Sequence, residues 1–310
     1  MRQKNRGFRI EHLLMLIVTF FWAIGHPLGR IIVRTVHPFQ LGAVTLSTGL
    51  IGLLIFMLIS GRTGAFRKLQ PRDVLTSLGL GIFGFFSYQI LTFSALARIP
   101  ASMNAVLVAT NVVFIALLAS LLLHEPIGSS RITGISIALI GVILVTFNRG
   151  FRAAFTNTQF NSIGCVFSLL AAVSFALYSV IGKKVLARND PLVVASLALL
   201  SGSALLLLFT ALTTGFREVV TAGWPIFLLM ISLGLTMIGI AYPLWFTCLK
   251  RLPASHASVY IYLTPVFAVF LSLIILGERF SWLFWLGAAC ILGGIIITNR
   301  NIQRGEGEET

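Results

Sequence analysis

Acidic residues are scarce in this chain: 9 of 310, against 23 lysines and arginines. Glu11, Asp73, Glu125, Asp190, Glu218, Glu278, Glu306, Glu308 and Glu309 all fall at the ends of apolar runs, in the breaks between them, or in the C-terminal tail. A charge at the centre of a bilayer costs at least about 2.5 to 3.5 kcal/mol, so a carboxylate found there usually marks an ion or proton relay. With none in such a place, the sequence argues against a buried acidic proton wire, an intramembrane aspartic hydrolase and polycationic cargo. Any ion coupling would fall to histidine, rim glutamates or backbone carbonyls. Cysteine is equally sparse. Cys165, Cys248 and Cys290 lie inside apolar segments with no metal-ligand spacing, so they form no disulfide framework and read as packing residues.

What is abundant is hydrophobicity. Apolar residues make up 57% of the chain and charged residues 10%, and the mean hydropathy is +0.96, values that no water-soluble domain of this length could hide in one core. A spanning helix needs about 20 mostly apolar residues. Ten segments qualify: roughly 12–33, 39–59, 74–96, 101–123, 130–147, 162–183, 192–212, 225–248, 255–276 and 282–299. The first continues through His26-Pro27 without a small-residue cleavage site and is expected to be a retained span rather than a signal peptide.

One unit is written twice. A shift of 153 positions lays Ala97 to Pro126 on Lys250 to Arg279 with ten identities, among them Arg98 on Arg251, Pro100-Ala101-Ser102 on Pro253-Ala254-Ser255 and Glu125 on Glu278. The same ungapped shift superposes Pro38 on Pro191, Gly134 on Gly287 and Gly141 on Gly294. The expected organisation is a first five-helix repeat over 1–147, a linker over 148–161, a second repeat over 162–300 and a cytoplasmic tail over 301–310.

Basic residues fix the expected orientation. With the N-terminus inside, 16 lysines and arginines fall on the cytoplasmic side and seven outside, as the positive-inside bias requires. Both termini are then cytoplasmic. Because each repeat has an odd number of spans, the second runs upside down relative to the first, an arrangement recurrent in secondary transporters. The fold class expected is all-α integral membrane, ten transmembrane helices as two inverted five-helix repeats, in a bacterial inner membrane.

Polar residues within the spans form stripes. Trp22, His26 and Arg30 share one face of the first span. His26 is either a gate or solute contact, or a partner for a carbonyl freed by Pro27; Arg30 is expected to snorkel to the outer headgroups. Tyr88, Gln89 and Thr92 mark the third span, and Asn104 and Asn111 one face of the fourth, either as interhelical glue or as cavity lining. Tyr178 lies on the sixth span, Tyr242 and Trp245 on the eighth, and His256, Tyr260 and Thr264 on one face of the ninth, ahead of Pro265. The expected solute-binding set is therefore Trp22, His26, Tyr88, Gln89, Asn111, Tyr178, Tyr242, Trp245, His256, Tyr260 and Thr264. These groups are aromatic and uncharged, which suits an amphiphilic organic solute better than an inorganic ion. The fifth and tenth spans carry small residues instead, Gly134, Ser136, Ala138 and Gly141, then Gly287, Ala288, Ala289, Gly293 and Gly294, and read as a scaffold or dimer face.

The Trp22-Ala23-Ile24-Gly25 start, both Pro-Ala-Ser elements, Thr264-Pro265, and Leu276-Gly277-Glu278-Arg279 followed by Leu286-Gly287-Ala288-Ala289 resemble the EamA branch of the drug/metabolite transporter superfamily. That resemblance covers Leu13 to about Thr298. It implies two inverted five-helix repeats, a central cavity lined by helices 1, 3, 4, 6, 8 and 9, and helices 5 and 10 at the periphery. It also implies a secondary carrier of amino acids or other metabolites, often working outward; multidrug, nucleoside and sugar carriers share the fold. Two departures stand out: Thr45 stands seven residues after Pro38, where the family commonly has an arginine, and the first copy lacks a proline matching Pro265. The expected partners are a small organic solute and the lipid bilayer, with a proton as candidate coupling ion. No nucleic acid, cofactor or catalytic group is expected, and the chain would act as a monomer or homodimer.

Overall fold

The structure is a computed structural model that describes residues 10–99, 101–125, 128–146, 162–276 and 282–300. Glu278, the expected linker and the tail lie outside the described residues. Within them the chain is helical throughout, with no strand. We number the helices α1 (Ile10–Ile32), α2 (Pro38–Ile59), α3 (Pro71–Leu96), α4 (Ala101–Ala109 and Asn111–Leu123), α5 (Ser129–Thr146), α6 (Ser162–Leu186), α7 (Pro191–Thr213), α8 (Trp224–Arg251), α9 (Ala254–Val259, Tyr260–Tyr262 and Leu263–Leu276) and α10 (Trp282–Arg300). Six of them, α1, α2, α3, α6, α7 and α8, are long and apolar enough to cross a membrane. Their outer faces expose large apolar side chains such as Ile51, Phe56, Ile163, Leu208 and Leu228, a surface that lipid tolerates and water does not.

The repeat seen in the sequence recurs in the local structure. His37 and Asp190, 153 positions apart, cap α2 and α7: Phe39 N donates to His37 Nδ1 at 3.3 Å and Leu192 N to Asp190 Oδ1 at 2.9 Å. Pro38 and Pro191 follow at the first turn, where a missing N–H costs nothing. Mid-helix irregularities also match. α3 widens to a π turn over Ile82–Ser87, and α8 over Gly234–Ile240; shifting the first by 153 gives 235–240. α4 breaks at Thr110, just before Asn111, and α9 tightens to 3-10 over Tyr260–Tyr262. Pro265 removes a donor and frees the carbonyl of Ile261, yet α4 breaks at the equivalent place with Val112 where α9 has proline. The discontinuity belongs to the repeat, not to one proline.

α5 and α10 pack on each other, which settles where their small residues point. A Cβ on Gly141 would lie 2.6 Å from the Gly287 carbonyl oxygen, and one on Gly294 would lie 2.5 Å from that of Gly134. The pairs are reciprocal under the 153-residue shift, so each repeat supplies the same two glycines to the same contact. The faces expected as scaffold or dimer surface are closed within one chain.

Between the repeats lies an aromatic core. Trp22 and Phe175, again 153 positions apart, meet edge-to-face with centroids 5.4 Å apart. Tyr242 and Trp245 lie 5.3 and 5.5 Å from Trp22. Tyr178 stacks on Phe246 at 4.8 Å and occupies the space that any side chain at Gly84 would need, within 2.1 Å of a Cβ there. The π turn of α3 therefore seats α6.

Candidate functional site

Above this core the six helices α1, α3, α4, α6, α8 and α9 enclose a cavity of about 30 Å³. Its polar lining includes His26, Tyr88, Gln89, Thr92, Asn111 and Thr264, and its apolar wall includes Trp22, Phe175 and Met237. α1 presents Trp22 and His26 together because they are four residues apart on one face. The breaks in α4 and α9 fall beside Asn111 and Thr264, where irregular backbone lines a cavity instead of facing lipid.

Asn111 Oδ1 and Thr264 Oγ1 are buried and make no hydrogen bond among the described residues. They are 153 positions apart, the same site in each repeat. A buried polar atom left unsatisfied costs about 1 to 3 kcal/mol, so two of them facing one cavity leave acceptor capacity for a guest. Thr92 Oγ1, on the same lining, is orphaned likewise, whereas Gln89, Trp22 and His26 are engaged. Gln89 Nε2 donates to Thr45 Oγ1 at 3.4 Å, and Thr45 back-bonds to Leu41 O at 2.9 Å. Thr45 thus steadies Gln89. Trp22 Nε1 donates to Met237 O at 3.3 Å. His26 Nδ1 lies 3.4 Å from Asn104 Nδ2, and Ser168 Oγ is 2.8 Å from Asn104 Oδ1; the histidine bonds a side chain and not the carbonyl that Pro27 frees.

Of the eleven residues expected from the sequence, Trp22, His26, Tyr88, Gln89, Asn111 and Thr264 line the cavity. Tyr178, Tyr242 and Trp245 belong to the aromatic core directly behind it. His256 and Tyr260 lie away from it, towards the end of the bundle where α1 begins: Arg131 Nε is 3.2 Å from His256 Nε2, and Tyr260 pairs with His12. Phe175, Met237 and Val108 are lining residues that sequence patterns did not single out; the first could have been found as the 153-residue counterpart of Trp22. Arg30 also has a partner within the protein. Its guanidinium donates to Leu96 O at the end of α3, and its counterpart Lys183 donates to Leu252 O just beyond α8, cations set where helix dipoles favour them.

Among the described residues the ion pairs between the repeats lie at the end where α1 begins. Lys183 lies 3.5 Å from Glu125, Ala254 N donates to Glu125 Oε1 at 3.0 Å, and Arg251 pairs with Glu11 at 2.9 Å. At the other end the counterpart of Arg251, Arg98, lies over the Phe167 ring at 5.2 Å. Among the described residues no group of three His, Cys, Asp or Glu side chains could hold a metal ion.

A two-repeat helical membrane protein with broken helices around a cavity between the repeats has the architecture of secondary transporters. The EamA-like transporter family matches residues 9–147 and 162–300, and the chain belongs to it. YdfC of Bacillus subtilis, an uncharacterized transporter, is 27% identical over 304 residues, covering 98% of this chain and 94% of its own. A probable terminal-alkyne amino-acid exporter of Streptantibioticus cattleyicolor is 27% identical over 289 residues, covering 93% and 92%. One crystal structure of another protein matches with a TM-score of 0.77 and 24% identity over 96% of this chain and 99% of that one; the likeness is one of fold. The protein is a multi-pass membrane transporter and not an enzyme.

Proposed function

We propose that the chain carries small amphiphilic organic solutes, foremost amino acids or related metabolites, outward across a bacterial inner membrane. The termini are cytoplasmic in this reading, and the carrier works by alternating access around the cavity between its repeats. The observation that carries it is the pair of unsatisfied oxygens, Asn111 Oδ1 and Thr264 Oγ1, that meet at one uncharged cavity beside Trp22 and Phe175. They suit the donor-bearing head of a solute whose apolar part lies along aromatic and aliphatic walls. The name of the Streptantibioticus relative supports the same solute class.

A cavity of about 30 Å³ has room for a water or two and no more. Solute entry therefore needs the repeats to move apart, and the Glu125–Lys183, Glu11–Arg251 and Asp73–Arg188 contacts are among those that must separate at the α1-start end. Among the described residues no carboxylate lines the cavity; if a proton is coupled, His26 is the candidate carrier.

The test is a thermal-shift screen of the detergent-purified protein against amino acids, nucleosides, sugars and lipophilic amines, followed by counterflow in liposomes. A ligand of the folded state raises the melting temperature, and an amino acid that stabilises and exchanges establishes the reading. Stabilisation by lipophilic amines alone would replace it with a multidrug carrier.

A further inference from the structure

The unsatisfied acceptors leave open what the cavity offers as a donor, and the hydrogen-bond chain behind His26 answers this. Ser168 of α6, Asn104 of α4 and His26 of α1 form a buried row that joins the two repeats. Ser168 has one hydroxyl proton and two acceptors in reach: Asn104 Oδ1 at 2.8 Å and Gly164 O at 3.1 Å. O–H···O bonds cluster near 2.7 to 2.8 Å and thin out beyond about 3.0 Å, so the proton goes to Asn104. That fixes the amide: Oδ1 accepts and Nδ2 is turned to His26 Nδ1, 3.4 Å away. A neutral imidazole whose Nδ1 accepts carries its proton on Nε2. Among the described residues Nε2 has no partner, and His26 lines the cavity.

We infer that Asn104 and Ser168 are positioning residues that hold His26 as the Nε2–H tautomer, making its ring nitrogen a fixed hydrogen-bond donor to the cavity. The site then sets the His26 ring N–H against the unsatisfied oxygens of Asn111, Thr264 and Thr92. A solute that fits both carries an acceptor and a donor, as an α-amino acid does: carboxylate to His26, ammonium to Asn111 and Thr264. This rests on the cavity being the solute site. The repeat itself provides a control. The positions equivalent to His26, Asn104 and Ser168 are Ser179, Ala257 and Met15; alanine and methionine cannot build the row, so the donor belongs to one half only and gives the solute one orientation.

Two measurements separate the inference from the reading beneath it. The first needs no solute: ring ¹⁵N shifts and two-bond couplings of ¹⁵N-histidine-labelled protein, with His26 assigned by its loss in His26→Gln. The expected result is Nε2–H in the wild type, and a mixture or Nδ1–H in Asn104→Leu and Ser168→Ala. The second compares binding of L-leucine, L-leucinamide and isoamylamine, which share a side chain and differ in the carboxylate. The wild type is expected to prefer leucine by about tenfold, the size of a hydrogen bond to a charged group. Asn104→Leu should lose that preference while still binding isoamylamine. An Nδ1–H tautomer in the wild type, or a leucine preference unchanged in Asn104→Leu, overturns the inference. If the wild type binds none of the three yet shows Nε2–H, the solute assignment falls while the positioning row stands.

Discussion

Asn111 and Thr264 hold equivalent places in the two repeats, and each turns a side-chain oxygen without a partner into the same cavity. Neither oxygen contributes to stability as it stands. A residue kept for folding should destabilise when truncated; an orphaned polar atom should not. Asn111→Ala and Thr264→Val are therefore expected to leave the melting temperature unchanged or slightly raised, each lowering solute affinity by about 0.5 to 1.5 kcal/mol, or roughly two- to twelvefold. Thermal unfolding beside binding isotherms checks both halves of this expectation. A clear fall in melting temperature with unaltered binding would make the two residues structural.

Closure at the α1-start end leans on Glu125, which accepts from Ala254 N at 3.0 Å and lies 3.5 Å from Lys183. These two partners belong to the second repeat. Glu125→Gln keeps the shape and removes the charge, so opening at this end should become more frequent. Cys248, buried in α8 with Sγ 3.8 Å from Glu11 O, is a native reporter. In a Cys165→Ser, Cys290→Ser background its labelling by a membrane-impermeant maleimide should rise about fivefold, as for a loss near 1 kcal/mol. Labelling as slow as in the parent would remove Glu125 from the closure.

Much of this arrangement was legible in the sequence, because a repeat fixes relations that a single stretch cannot. The 153-residue shift, applied to Pro38 or Gly141, already names Pro191 and Gly294, and the structure gives each pair equivalent surroundings. Helical spacing placed Trp22 beside His26 and put Asn111 and Thr264 on cavity faces. Spacing fails for depth along the axis: His256 and Tyr260 share a face with Thr264 but stand one to two turns nearer the α1-start end, among Arg131 and His12. Partners across helices were beyond it too. Nothing local to Asn104 announces Ser168, 64 positions away, and nothing local to Arg30 announces the carbonyl of Leu96. The small-residue stripes of α5 and α10 were read correctly as packing faces, but a stripe does not say whether its mate is in the same chain.

That mate makes a stability test. Gly141 and Gly294 sit against backbone carbonyls, which cannot swing aside as a side-chain tip can. Gly141→Ala and Gly294→Ala should each cost about 1 to 3 kcal/mol through overpacking. The double variant should cost less than their sum, because once one contact has spread the helices the second Cβ meets less resistance. Melting temperatures of the three proteins in one detergent decide it. The same proteins run on a sizing column should show no change in oligomeric state relative to the parent; a change would mean that the stripe also serves a second copy.

The caps of α2 and α7 differ in one respect that pH can expose. Partial burial holds His37 below its ordinary value of 6.5; nearby Arg98 acts in the same direction, and Glu218 opposes both. Its Nδ1 accepts from Phe39 N only while unprotonated. Since the folded-state value is the lower one, proton binding favours the unfolded chain: the cap's contribution is complete above about 6.5 and is lost as pH falls through the folded value. Asn keeps a neutral cap acceptor, so His37→Asn should flatten this part of the profile. Between about pH 7.5 and about pH 5 the wild-type melting temperature should fall further than that of His37→Asn, with titrations common to both proteins cancelling in the difference. Parallel profiles would mean that protonating His37 costs the fold nothing, and that Pro38 alone sets the start of α2.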